Sequence, residues 1–142
     1  MGNICRSSSA EGIFRKLADD AGRSEEYEID SAGTIGFHAG KPADSRMRAA
    51  ALERGYRLDS IARQIGPSDF DEFDLIVVMD DDNHEVVTAQ DPGSRAKIVR
   101  MCTYYSGDDY REVPDPYYGG GDGFYTVLDI LEDACANLLK QT

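Results

Sequence analysis

The spacing of apolar residues alternates between helical and strand-like along the whole chain. A first helix is predicted from Ser8 or Ser9 to about Gly22, with Ser8 and Glu11 at the spacing of a capping box. Its predicted inward face consists of Ile13, Phe14 and Leu17. A last helix is predicted over residues 123–140, because the apolar residues there recur about every 3.6 positions.

The middle of the chain alternates predicted strands and helices. Residues 75–79 form a β-branched run typical of a buried strand, followed by a predicted helix over 82–89 and a predicted strand over 97–101. The weaker elements before them are a strand over 27–32, a helix over 44–54 closed by Gly55, and an extended segment over 60–65. This alternation predicts one α/β domain over residues 1–142.

One element that such a fold needs is not found in the pattern. A buried strand normally leads into the turn before the first helix of a parallel α/β sheet, but residues 2–7 already form that turn. We therefore expect a missing strand, two exposed strand edges and a partly open core. A protein of this kind is expected to melt at low temperature, to aggregate or to exchange strands.

Residues 106–122 are predicted to form a long exposed loop. The segment is rich in aspartate, glycine, proline and tyrosine, which favour turns. Loops of this length usually carry function, so the segment is a candidate part of a binding or catalytic site.

Charge and composition limit the classes of partner. The chain has 15 Lys+Arg against 27 Asp+Glu, a net charge of −12, and 41% hydrophobic residues, as expected of a folded domain. Such an acidic chain is unsuited to nonspecific binding of nucleic acid or of an anionic membrane. The apolar run at 75–79 is far shorter than the roughly 20 residues of a membrane span. No secretory leader pattern is present, so we expect a cytoplasmic protein with neither kind of partner.

The cysteines and histidines predict neither disulfides nor a metal site. Cys5, Cys102 and Cys135 are scattered and odd in number, which favours reduced thiols. His38 and His84 are the only histidines, and no zinc-ligand spacing is present. We expect no metal and no cofactor.

The turn at residues 2–7, Gly-Asn-Ile-Cys-Arg-Ser, has the composition of an anion-binding loop. Backbone amides and the positive end of the helix dipole favour an anion at such a position, and Arg6 adds a guanidinium that can bind two oxygens. Phosphate is the natural ligand. The same spacing also occurs in helix starts that bind nothing, so it does not decide the function by itself.

The wider pattern resembles the low-molecular-weight protein tyrosine phosphatases. The run Gly2-Asn3-Ile4-Cys5-Arg6-Ser7 followed by Ala10-Glu11 closely resembles their phosphate loop, which reads Cys-x-x-x-x-x-Arg-Ser. Further matches are Asp30-Ser31-Ala32-Gly33-Thr34, Ala62-Arg63-Gln64-Ile65, Met79-Asp80 with Asn83, and Asp115-Pro116-Tyr117-Tyr118-Gly119. The resemblance implies a three-layer α/β domain, with a four-stranded parallel sheet flanked by helices and the phosphate loop at the carboxyl edge of the sheet.

The resemblance places the nucleophilic cysteine outside the printed residues. The variable loop positions correspond to Met1, Gly2, Asn3, Ile4 and Cys5, so the nucleophile is expected immediately before Met1. The first, central strand is expected upstream as well. The preferred explanation is an internal methionine mistaken for the gene start; a genuine short product and a decayed gene are the alternatives. As printed, the chain is expected to be inactive.

The resemblance also implies roles for the residues that are present. Arg6 stabilises the charge of the transferring phosphoryl group, and Asn3 and Ser7 hold the loop. Asp115 protonates the leaving phenolate oxygen and then activates water. Cys5 matches a loop cysteine that can form a protective disulfide with the nucleophile under oxidation, but it adjoins Arg6 and cannot replace the nucleophile.

Aromatic side chains are expected to form the walls of the substrate cleft. Tyr117 and Tyr118 match the aromatic wall that follows Asp115 in the family, and Phe37 falls in the variable loop on the opposite side. A phenyl ring that stacks between these walls is the expected leaving group.

We therefore predict a protein tyrosine phosphatase that, in its full-length form, hydrolyses phosphotyrosine monoesters through a cysteinyl-phosphate intermediate. Its expected ligands are a phosphotyrosine-containing protein or small phosphate monoester, and inorganic phosphate or a similar oxyanion. The first alternative is a non-catalytic phosphate- or phosphotyrosine-binding protein that keeps the arginine loop. An arsenate reductase of the same fold is disfavoured because Cys102 and Cys135 form no close pair in sequence. An arginine phosphatase is disfavoured because those enzymes carry a small polar residue at the position of Ile4 and lack the double tyrosine.

Overall fold

Two parallel strands form the centre of the fold. In the computed structural model, which describes residues 2–116 and 122–142, β1 (Leu75–Val78) pairs in parallel with β2 (Lys97–Arg100). Helix α4 (Asp81–Gln90) connects the two strands, as a parallel pair requires. Both strands were predicted, and each ends one residue earlier than predicted. Met101 already begins a short 3-10 turn, and Met79 lies between the end of β1 and Asp80, the N-cap of α4.

Four further helices surround the strands within the described residues. They are α1 (Arg6–Asp20), α2 (Ser45–Glu53), α3 (Pro67–Glu72) and α5 (Asp122–Gln141), with 3-10 turns at Ser24–Glu26 and Met101–Thr103. The helix over 44–54 was predicted correctly: Asp44 caps it, and Gly55 follows with a φ of 87°. Helix α3 was missed, since it is too short to show helical periodicity. No helix in the described part of the chain is long and apolar enough to cross a membrane.

Helix α1 begins earlier than predicted and lacks the predicted capping box. Its N-cap is Cys5, with no side-chain cap. The hydroxyls of Ser8 and Ser9 donate to the carbonyl oxygen of Cys5, at 3.0 and 2.7 Å, so both serines lie inside the first turn. Arg6 is consequently the first helical residue, and the loop before it leads directly into the helix N-terminus.

The predicted strand at 27–32 is extended but unpaired. No backbone group of residues 28–32 bonds another backbone group among the described residues, and only Gly33 forms a parallel bridge, with Gln64. The sheet seen in residues 2–116 and 122–142 therefore has two strands and not the four that were predicted. A strand needs a neighbour that accepts its hydrogen bonds, and 27–32 faces a cavity instead.

Two hydrophobic clusters lie around the sheet. The larger one joins α1, α2 and α5, with Ile13, Met47 and Leu131 fully buried. The smaller one contains Phe70, Val78 and Val87. A cavity of about 520 Å³ is lined by β1, by α1 and by the extended segment at 27–34. The expectation of a partly open core agrees with this cavity.

Candidate active site

The loop before α1 takes its shape from Asn3. Its φ of 65° lies in the left-handed region, which asparagine adopts more readily than most residues. The buried side chain donates from Nδ2 to Oγ of Ser7 at 2.8 Å and to Oγ of Ser31 at 2.9 Å. Its Oδ1 accepts from the backbone amide of Arg63 at 3.2 Å. One amide group thus ties the loop to α1 and to two distant segments.

Two more contacts fix the loop. The hydroxyl of Ser31 donates to Oε1 of Glu11 at 2.6 Å, which continues the chain of hydrogen bonds onto α1. The backbone amide of Asp44 donates to the carbonyl oxygen of Ile4 at 2.8 Å, which joins the loop to the start of α2. The predicted loop residues from Gly2 to Ser7 therefore lie together at the N-terminus of α1, while Met1 lies outside the described residues.

Arg6 is buried beside this loop, with 3% of its side chain exposed. Nη1 donates to Oδ2 of Asp80 at 2.6 Å and to the carbonyl oxygen of Val113 at 2.8 Å. Nη2 lies 3.8 Å from Oδ2 of Asp115 and has no hydrogen-bond partner among the described residues. The guanidinium is therefore anchored by hydrogen bonds through Nη1, whereas Nη2 makes only the longer ion pair with Asp115.

Asp80 has a role that sequence reasoning missed. It caps α4, where Oδ1 accepts from the backbone amide of Asn83 at 2.7 Å, and it also pairs with Arg6. Burial raises the pKa of Asp80, but the hydrogen bonds from Asn83 and Arg6 outweigh burial and hold it below its ordinary value. The sequence predicted that Asp80, Asp81 and Asp82 form a loop and the start of a helix, which is correct. It did not predict that Asp80 pairs with Arg6.

Asp115 lies on the long loop that was predicted as a site. The amide of Val113 donates to the carbonyl oxygen of Met79 at 2.9 Å, and the amide of Asp81 donates to Oε1 of Glu112 at 2.9 Å. These bonds hold the loop against the carboxyl end of β1 and the start of α4. They bring Asp115, with 29% of its side chain exposed, to the unbonded nitrogen of Arg6.

The loop that carries Phe37 also lies beside the site. Phe37 is 76% exposed and packs edge-on against His38, with 4.9 Å between ring centroids. The His38 ring is in turn close to Gly2, because a Cβ at Gly2 would lie 2.6 Å from Cδ2 of that ring. Phe37 therefore lies next to the ring that adjoins Gly2, and its predicted role as a cleft wall stays a prediction. Tyr117 and Tyr118, predicted as the opposite wall, lie outside the described residues.

Comparison with known proteins identifies the family to which this chain belongs. The family model for low molecular weight phosphotyrosine protein phosphatases matches residues 1–142. The chain belongs to the low molecular weight phosphotyrosine protein phosphatase family. The predicted resemblance is thereby confirmed, and so is the prediction of a protein tyrosine phosphatase.

Individual phosphatases of this family match nearly the whole chain. The putative low molecular weight protein-tyrosine-phosphatase of Synechocystis is 50% identical over 141 residues, covering 98% of this chain and 90% of that protein. The human low molecular weight phosphotyrosine protein phosphatase is 36% identical over 146 residues, covering 99% and 90%. A crystal structure of the Entamoeba histolytica protein tyrosine phosphatase, with Hepes in its active site, superposes with a TM-score of 0.96 at 46% identity, covering 99% and 91%. The α/β fold is confirmed by this superposition.

The three cysteines of this phosphatase chain are free, and burial raises the pKa of each thiol. Burial is the main cause that raises the pKa of Cys5 to about 12, and the charges of Asp44 and Asp115 add to it. Burial alone raises the pKa of Cys135 to about 12 and is the first cause of the raised pKa of Cys102. Within residues 2–116 and 122–142, no three His, Cys, Asp or Glu side chains cluster as metal ligands.

Proposed function

We propose that this phosphatase hydrolyses phosphotyrosine monoesters, in proteins or small molecules, through a cysteinyl-phosphate intermediate. The observation that carries the proposal is the unbonded Nη2 of buried Arg6, 3.8 Å from Oδ2 of Asp115. Phosphoryl transfer needs charge stabilisation for the phosphoryl oxygens and a proton for the leaving oxygen. The fixed guanidinium supplies the first, and the carboxyl group beside it supplies the second.

The reaction takes two displacements at phosphorus. In the first, a thiolate attacks phosphorus and the bond from phosphorus to the tyrosine oxygen breaks, while Asp115 donates its proton to that oxygen. Arg6 and the backbone amides of residues 2–5 hold the other phosphoryl oxygens. In the second, Asp115 accepts a proton from water, the water oxygen attacks phosphorus, and the sulfur–phosphorus bond breaks. Inorganic phosphate leaves, and the thiolate is regenerated.

The nucleophile is proposed to be a cysteine placed directly before Met1. Cys5 does not fit this role, because its raised pKa keeps the thiol neutral and because it adjoins Arg6. No residue then separates sulfur from guanidinium, so a phosphate has no cradle between them. Residues 1–142 alone are therefore proposed to bind an oxyanion at Arg6 without turnover.

The proposal also covers the substrate cleft, the cellular compartment and the classes of partner. Phe37 forms one wall for the substrate ring, and Tyr117 and Tyr118 form the other. No cofactor takes part. The cytoplasm is the proposed compartment, since three free thiols persist in a reducing environment. The net charge of −12 makes nucleic acid and anionic membranes unsuitable partners.

The test compares phosphate release from a phosphotyrosine peptide by two proteins. One is residues 1–142, and the other is the same chain preceded by an apolar strand that ends in cysteine. Only the extended protein is expected to turn over. In that background Asp115→Asn is expected to lower kcat by about a hundredfold or more. Asp108→Asn, exposed on the same loop, is the matched control and is expected to leave kcat unchanged.

Three results would contradict parts of this proposal. Turnover by residues 1–142 that Asp115→Asn abolishes would refute the position of the nucleophile. A folded extended protein that binds inorganic phosphate but never turns over would support the non-catalytic alternative. Faster hydrolysis of phosphoarginine than of phosphotyrosine would overturn the substrate class.

A further inference from the structure

The loop that carries Phe37 also carries an exposed lysine beside that ring. The ammonium nitrogen of Lys41 lies 5.9 Å from the centre of the Phe37 ring. Phe37 packs edge-on against His38, and the His38 ring adjoins Gly2 in the loop before α1. Lys41 therefore stands at the outer end of a row of side chains that begins at the proposed oxyanion site.

The backbone of Lys41 is fixed by a segment that also holds the loop before α1. The carbonyl oxygen of Lys41 accepts from the amide of Ala62 at 2.8 Å, and the amide of Gly40 donates to the carbonyl oxygen of Ala62 at 2.8 Å. The next residue, Arg63, donates from its amide to Oδ1 of Asn3 at 3.2 Å. One short segment thus sets the position of Lys41 relative to the proposed oxyanion site.

The charge of Lys41 is not compensated within the protein. Among residues 2–116 and 122–142, no acidic side chain pairs with its ammonium group. Arg46, the next cation along the chain, is paired with Asp44 at 2.9 Å. A carboxylate of a ligand can therefore pair with Lys41 without displacing another acidic group.

The two sides of the site differ in charge. Residues 35–48, on the side of Phe37, contain three lysines or arginines and one acidic residue. Residues 106–115, which bring Asp115 to Arg6, contain four acidic residues and one arginine. Salt limits the reach of an exposed charge to about 8 Å at physiological ionic strength. These local charges therefore act on a bound ligand more strongly than the net charge of −12 that the whole chain carries.

We propose that Lys41 selects substrates that carry an aspartate or glutamate beside the phosphotyrosine. With the phosphoryl group at Arg6 and the substrate ring against Phe37, the peptide backbone leaves the site past Lys41. An extended peptide advances about 3.3 Å per residue, so the ammonium group is within reach of a side chain about one to three residues from the phosphotyrosine. An acidic side chain at that place forms an ion pair with Lys41. On the other side of the phosphotyrosine, the acidic residues of 106–115 repel a carboxylate.

This inference rests on the proposed function and adds the chemistry of the flanking residue. Its test measures the binding of three peptides that contain a non-hydrolysable phosphonate analogue of phosphotyrosine. One peptide has only alanine and serine around the analogue, one has two aspartates before it, and one has two aspartates after it. We expect one of the two acidic peptides to bind about two- to fivefold more tightly than the neutral peptide, which is the range for an exposed ion pair. The gain is expected to disappear in 1 M NaCl, where a charge reaches only about 3 Å.

Variants test whether Lys41 is responsible for the gain. Lys41→Glu is expected to abolish it and to favour a peptide with lysines in the same place, whereas Lys41→Arg is expected to keep it. Lys97→Glu is the matched control and is expected to keep the gain. Lys97 is also exposed, but it pairs with Leu75 at the amino end of the strands, whereas Asp80 and Arg6 lie beyond their carboxyl end. The readout is the ratio of acidic to neutral affinity within each variant, so a general loss of oxyanion binding cancels out.

Each of four results would overturn the inference. Equal affinity for the neutral and acidic peptides would exclude selection by charge and leave the proposed function intact. A gain for both acidic peptides would contradict the charge difference between the two sides of the site. Loss of the gain in Lys97→Glu would assign it to the net charge of the chain and not to Lys41. Failure of all three peptides to bind the folded protein would overturn the proposed function together with this inference.

Discussion

Replacement of Asp80 by asparagine removes one charge from a buried pair while it keeps a helix cap. Oδ1 of Asp80 accepts from the amide of Asn83, and asparagine is an equally good N-cap residue. Oδ2 accepts from Nη1 of Arg6 at 2.6 Å, and the Arg6 side chain is 3% exposed. Asp80→Asn therefore separates the ion pair from the cap.

The expected cost is about 3 kcal/mol of unfolding free energy. Removing one partner of a buried ion pair typically costs about 3–5 kcal/mol, because the other charge stays buried without compensation. The lower end applies here, since the Asp80 side chain is 16% exposed and Arg6 keeps its bond to the carbonyl oxygen of Val113. Asp44→Asn is the matched control: Asp44 also caps a helix and pairs with an arginine, but Arg46 is 50% exposed. Its expected cost is below about 1 kcal/mol.

The assay is urea unfolding followed by circular dichroism, at neutral pH and across the acid range. Because the pKa of Asp80 is lower in the folded protein, its contribution is complete above the ordinary carboxyl value of about 4. The contribution is lost as the pH falls through the lowered folded value. The wild type should therefore lose more stability on acidification than Asp80→Asn. Equal costs for the Asp80 and Asp44 variants, or identical pH profiles of wild type and Asp80→Asn, would refute the reasoning.

Two further predictions concern the loop and the thiols. Asn3→Gly and Asn3→Ala both lose three hydrogen bonds, but glycine adopts a φ of 65° freely, so Asn3→Ala should be less stable by about 1 kcal/mol in urea unfolding. Equal stability of the two variants would argue against the left-handed geometry. Cys5 and Cys135, with pKa values raised to about 12, should react with iodoacetamide at pH 8 far more slowly in the folded protein than in urea. Rapid alkylation of both in the folded protein would contradict their burial.

Elements whose signals are local could be predicted from the sequence. The last helix was predicted over 123–140 and spans Asp122–Gln141. The prediction succeeded because the apolar residues of this helix recur with helical periodicity. The β-branched run at 75–79 became β1 for the same reason. In both cases the residues that fix the element lie inside it.

Elements that depend on a distant partner could not be predicted in this way. Residues 27–32 have the composition of a strand, but hydrogen bonds to a neighbour make a strand, and the described residues provide none. The predicted capping box failed for a similar reason. In the structure Glu11 accepts a hydrogen bond from the hydroxyl of Ser31 instead of capping the helix. The spacing of Ser8 and Glu11 in the sequence gives no sign of this distant contact.

The residues of the candidate site that lie in recognisable motifs could be predicted from the sequence. Arg6 and Asp115 were chosen because each stands in a family pattern, and the structure places them 3.8 Å apart. The pairing of Asp80 with Arg6 joins residues 74 positions apart, and three consecutive aspartates before a helix have an ordinary explanation as a start signal. Nothing local distinguishes the aspartate that also neutralises a buried arginine.

The loop at residues 2–7 is held by side-chain and backbone contacts that all lie within the described residues. Asn3 fixes the backbone, the amide of Asp44 holds Ile4, and Asp80 anchors one nitrogen of Arg6. The proposed oxyanion site therefore depends on these contacts, and the proposed turnover depends in addition on a thiolate. Binding and catalysis should consequently separate in this protein: phosphate binding is expected to survive the loss of the thiolate, and turnover is not.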